Sequence, residues 1–88
     1  MPRYFFDLIN GIGLVSDEEG AELADDETAR AEAIRQIRPI IAEDVRGGCI
    51  DLTGRIIVRS DDEATVHEVG FDKAVRIVLP ADRREDSG

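Results

Sequence analysis

The chain reads as an α+β domain: an antiparallel sheet in the order ββαββ, with one main helix packed on one face. Three observations point there. Residues 3–9 and 14–16 flank Asn10-Gly11-Ile12-Gly13, where Asn and Gly tolerate positive φ at low cost, as a hairpin turn needs. Apolar residues then recur at threes and fours from Ala29 to Val45, the period of an amphipathic helix. Beyond it, residues 55–60 and 65–71 are rich in branched and aromatic side chains and flank the polar turn Ser60-Asp61-Asp62-Glu63-Ala64.

Each element has its own logic. In the first strand Tyr4, Phe6 and Leu8 share a face. Asp17-Glu18-Glu19-Gly20 ends the second strand, and residues 21–24 form a connector anchored by Leu23. The helix begins at Asp25 or Asp26, since either can cap the first turn, and the acids there suit the positive end of the helix dipole. Its stripe is Ala29, Ala33, Ile34, Ile37, Ile40, Ile41 and Val45; on the wet side Asp26 with Arg30, and Glu43 with Arg46, are spaced to pair. Gly47-Gly48 stops it. Pro39 lies inside, cannot donate to the carbonyl of Arg35, and disfavours helical geometry at Arg38. A straight helix over residues 26–46 would run about 31 Å against about 20 Å for a six-residue strand. A kink or break near Pro39 is therefore expected. In the third strand Ile56 and Val58 share a face. Residues 74–79 fit a fifth strand, or one helical turn followed by extended chain. The domain then spans residues 1–79, and the charged residues 80–88 form a tail expected to be disordered. These patterns leave the strand order open.

Composition narrows the function. The 88 residues suffice for one domain with a thin core, and an apolar content of 42% favours a folded chain. The net charge of −9, from 20 acids against 11 bases, argues against nucleic acid and anionic membranes as partners. Cys49 is the one cysteine, so no intramolecular disulfide can form. No signal peptide or membrane-spanning run is recognisable, and the cytoplasm is expected by default.

The chemistry-bearing residues are sparse. Gly11-Ile12-Gly13 is only the beginning of a dinucleotide fingerprint, and no helix follows it. Asp17-Glu18-Glu19, Asp25-Asp26-Glu27 and Asp61-Asp62-Glu63 lack the spacing of a Ca²⁺ loop and read as turns and caps. His67 and Cys49 cannot close a zinc site by themselves, and Ser16 and Ser60 belong to no nucleophile motif. His67 is expected at the rim of the core, and Cys49 as a small semi-buried apolar residue. No catalytic, cofactor or metal residue is assigned, and the chain is read as a non-enzyme.

One surface does stand out. Alternation sends Phe5, Ile9, Ile57 and Val66 to the sheet face away from the helix, ringed by Arg3, Asp7, Arg55, Arg59 and Glu68. An apolar centre within a charged rim is the anatomy of a protein interface. The expectation is a small interaction module, homodimeric through this patch, unless residues 74–79 fold back and cover it. The alternative is a regulatory protein that neutralises a basic partner.

Pro2-Arg3-Tyr4-Phe5-Phe6-Asp7, followed by Asp17-Glu18-Glu19-Gly20, Glu22-Leu23 and Ala29-Arg30-Ala31-Glu32-Ala33, resembles a small uncharacterised bacterial family, a domain of unknown function common in rhizobia and related soil bacteria. Residues 56–60 and Val69-Gly70-Phe71 resemble its second half, so the likeness covers residues 2–77. The resemblance implies an uninterrupted helix, from which Pro39 departs, and it brings no activity. A fainter similarity is to HicB-type antitoxins, which also lead from a strand hairpin into an Ala- and Glu-rich helix; most of that family's strand motif is missing, and a separate DNA-binding tail is not expected.

Overall fold

The computed structural model describes residues 1–81. Its elements are β1 (Arg3–Asn10), β2 (Gly13–Val15), β3 (Ala21–Glu22), α1 (Asp26–Arg46), β4 (Arg55–Ser60) and β5 (Thr65–Gly70), followed by a 3₁₀ turn at Phe71–Lys73. The α+β fold is as expected: an antiparallel sheet with a single main helix against it.

The sheet runs β2-β1-β4-β5. β1 is central, with Phe6 opposite Val58 and Leu8 opposite Ile56 on one side. Its other side is shared by two short strands: β2 pairs Leu8 with Val15, and β3 pairs Arg3 with Glu22. The stretch expected as a plain connector therefore contains a two-residue strand, and residues 16–20 interrupt the edge between β2 and β3. The hairpin turn closes as its residues dictate, because the Asn10 side chain accepts from the amides of Ile12 (2.8 Å) and Gly13 (3.2 Å).

Asp25 is the N-cap, its carboxylate accepting from the Thr28 amide at 2.8 Å. Asp26 is thereby released for Tyr4, whose hydroxyl donates to it at 2.6 Å. The expected Asp26–Arg30 pair does not form among the described residues, whereas Glu43–Arg46 does, at 3.0 Å. At the other end Gly48, at φ 92°, supplies the left-handed residue that ends the helix.

Pro39 does not break the helix, which runs unbroken from Asp26 to Arg46. Both Pro39 and Arg35 are exposed, so the carbonyl left without a donor lies where water can serve it. The end of the helix overhangs the sheet: Ala29, Ala33, Ile37 and Ile41 are buried, while Val45 is 53% exposed. Those four meet Tyr4, Phe6, Ile56, Val58, Val69, Phe71 and Ala74 in the one core.

The ambiguous C-terminal segment takes neither form offered for it. The helical turn comes earlier, at Phe71–Lys73, and residues 74–79 contain no strand. Phe71, read as the end of a strand, is swung into the core by that turn, its amide donating to the carbonyl of Gly54 at 2.9 Å. The disordered tail expected over residues 80–88 falls mostly on residues 82–88, outside the described residues.

Candidate functional site

The sheet face turned away from the helix is built by alternation. Tyr4 and Phe6 of β1, and Ile56 and Val58 of β4, point into the core. Phe5, Asp7 and Ile9, and Arg55, Ile57 and Arg59, therefore line the opposite face. The register sets Phe5 opposite Arg59, Asp7 opposite Ile57, and Ile9 opposite Arg55. On the far side of β4, Ile57 lies opposite Glu68. Phe5, Ile9 and Ile57 are each half-buried.

Val66 is not part of this group. A bulge between Val58 and Arg59 pairs Arg59 with Thr65 and Val58 with His67, leaving Val66 as the extra residue. A bulge breaks strict alternation, and Val66 packs beside the core instead. Residues 74–79 do not cover the patch either. Ala74 is buried in the core on the helix side, and its carbonyl accepts from Nε of Arg38 at 2.8 Å.

Arg59 organises the charged part of the face. Its Nε and Nη2 donate to the Asp7 carboxylate at 2.6 and 3.2 Å, and Nη2 also reaches the Asp17 carbonyl at 3.3 Å. The same guanidinium lies 5.0 Å from the centre of the Phe5 ring, within cation–π range. The Arg59 guanidinium holds the Asp7 carboxyl below the usual carboxylate range, assisted by the Asp17 amide and opposed by burial. The Asp7 side chain is only 14% exposed.

Asp17 fills the interruption in the edge. Its Oδ2 accepts from the Phe6 amide at 3.0 Å, as a neighbouring strand would, and its Oδ1 accepts from Glu19 and Gly20 at 3.2 and 3.1 Å. Its own amide donates to Asp7 at 2.9 Å. Gly20 closes the loop at φ 71°, and a Cβ there would sit 2.8 Å from the Tyr4 carbonyl oxygen. Asp7, Asp17 and Arg59 thus latch the irregular edge to β1 and β4. By sequence alone Asp7 and Arg59 are rim charges and Asp17 a turn acid; their convergence depends on residues 52 apart in the chain.

The other reactive side chains are held by local bonds. Nε2 of His67 lies 2.8 Å from the Asp26 carbonyl, at the start of the helix. Ser16 hydroxyl reaches Asp7, and Ser60 hydroxyl is bonded to Asp62 in its own turn. Tyr4, bonded to Asp26, has its phenol pushed up to about 12 by that carboxylate and by burial. Cys49, expected semi-buried, is exposed, because it follows the overhanging end of the helix. Among the described residues no group of three or more His, Cys, Asp or Glu is placed to hold a metal ion, and no helix is long and apolar enough to cross a membrane.

A second feature lies on the helix side. The helix packs over β4, β5 and the 3₁₀ turn, leaving a groove of about 560 Å³ between itself and the hairpin. Phe6, Leu8 and Ile56 floor it, with Val15 and Asp17 on one wall and Gln36 and Ile40 on the other.

Searches of curated proteins and of solved structures returned no match. A family model does match, over residues 3–72, which takes in every element from β1 into the 3₁₀ turn. The chain belongs to that family, Domain of unknown function (DUF6894).

Proposed function

We propose that this domain is a small non-catalytic interaction module that pairs with a second copy of itself through the sheet face away from the helix. The observation that carries the reading is Phe5, Ile9 and Ile57 lying together on that face, within a rim of both charge signs. An antiparallel sheet covered on one side ordinarily turns a polar face to water. Here Arg3–Glu22, Arg55–Glu68 and Arg59–Asp7 surround an apolar centre, at 3.1, 2.6 and 2.6 Å. A rim carrying both signs can oppose its own copy about a two-fold axis, the commonest symmetry of oligomers. In this reading the protein works in a bacterial cytoplasm.

Sedimentation velocity over a concentration series tests it. A dimer is expected for the unmodified protein, and a folded monomer for Phe5→Glu with Ile57→Glu. A monomer at high concentration without substitution removes the proposal.

The net charge of −9 favours a second reading, a regulatory protein that neutralises a basic partner. Its test is capture of one basic protein at matched stoichiometry from the native cell.

A further inference from the structure

The groove on the helix side is a site of a different kind from the back face. Four strands at about 4.8 Å spacing make a sheet roughly 19 Å across, and one helix of about 10 Å diameter covers about half of that. The helix lies toward β4 and β5, so the side of the hairpin that faces it has no cover of its own. Leu8 and Ile40 are only half-buried, although their neighbours Phe6 and Ile41 are buried, and Val15 is 61% exposed. Ile40 also borders a smaller depression of about 130 Å³, lined by Asn10, Ile12, Asp44, Asp51 and Gly54. The trough therefore follows one wall of the helix from Gln36 through Ile40 to Asp44. Those eight residues of rise are about 12 Å, two turns of helix.

The ionic character of the trough is one-sided. Asp17, Glu18, Asp44 and Asp51 border it, and no Lys or Arg does among the described residues. No ion pair engages any of the four among those residues. A second copy of this chain would bring like charges together along such a rim, which opposes self-docking.

We propose that the groove receives a basic amphipathic helix of a partner protein, about two turns long, with apolar side chains on Leu8, Val15 and Ile40 and Lys or Arg toward Glu18 and Asp44. Such a helix completes the cover of the sheet and neutralises the rim. The site extends the interaction reading to another face and stands without the dimer.

The test uses three fluorescein-labelled peptides at ~0.15 M salt: an amphipathic Leu/Lys helix, a scramble of the same composition, and a Leu/Glu counterpart. Anisotropy is expected to give binding of the first at least tenfold tighter than of the other two. Amide shifts should centre on Leu8, Val15, Gln36 and Ile40. Glu18→Lys with Asp44→Lys, both outside the core, is expected to weaken the Leu/Lys peptide at least tenfold, while Phe5→Glu with Ile57→Glu leaves it unchanged. The proposal is overturned if the scramble binds equally well, if the charge reversal has no effect, or if shifts fall on the back face. It is also overturned if groove resonances move only with protein concentration, since the occupant would then be a second copy.

Discussion

Of the ion pairs among the described residues, Arg59–Asp7 is the least exposed and the one whose loss the domain should feel most. Arg59→Met leaves a mostly buried carboxylate without its ionic partner and removes one of the bonds that hold the Asp17 loop, so about 2 kcal/mol of stability should go. Urea unfolding at neutral pH measures it. The pH dependence has a definite sign. Because the folded-state carboxyl of Asp7 is depressed, its contribution is present above the unfolded value of 3.8 and disappears as pH falls through the lower folded value. Stability of the unmodified protein should therefore drop on acidification below about pH 5 more steeply than that of Asp7→Asn; equal slopes would exclude the linkage. Tyr4 works in the opposite direction. It is the single tyrosine, so an ultraviolet titration reports it alone, with a native midpoint at about 12 against 10.0 unfolded. That raised value makes its contribution complete below the unfolded midpoint and lost as pH rises through the folded one.

At the scale of the element, the helix and the strands were legible to different degrees. The helix was readable nearly to the residue, because a buried stripe at a 3.6 period and a glycine stop are local properties: Ala29, Ala33, Ile37 and Ile41 are the buried residues, and Gly48 takes the left-handed position. Its response to Pro39 was not readable, since that depends on which side of the helix faces water. With Pro39 exposed and the helix unbroken, Pro39→Ala should restore a donor to Arg35 without disturbing packing and raise stability by about 1–3 kcal/mol. A loss of stability in urea unfolding would mean that the proline shapes the packing. In the strands, the facing of side chains in β1, β4 and β5 followed alternation until the bulge beside Val66, which comes from a two-against-one register that no single strand encodes.

For the whole molecule, the charge balance makes one prediction independent of either proposed docking face. With −9 overall, binding to mixed-sequence DNA should be undetectable by anisotropy at ~0.15 M salt, because little counterion release is available. Micromolar affinity there would overturn it. The core is small enough that one large residue matters at this scale. Phe71 is buried and its ring packs against the backbone at Gly54, where a Cβ would come within 2.9 Å of it. Phe71→Ala should cost about 3–5 kcal/mol, comparable with the whole stability of many domains of this size, and thermal unfolding should then begin near room temperature.

Legible in the sequence were the fold class, the hairpin, the helix with its stop, and the apolar residues Phe5, Ile9 and Ile57 on a common face, while the cap stayed open between Asp25 and Asp26. All of these follow from periodicity and turn chemistry acting over a few residues. The placement of β1 at the centre, the turn that buries Phe71, and the lateral position of the helix that opens the groove arise only when the elements pack together. So does the latch among Asp7, Asp17 and Arg59. Each of these is a long-range contact whose geometry depends on how two elements meet, and residue type alone carries no record of that meeting.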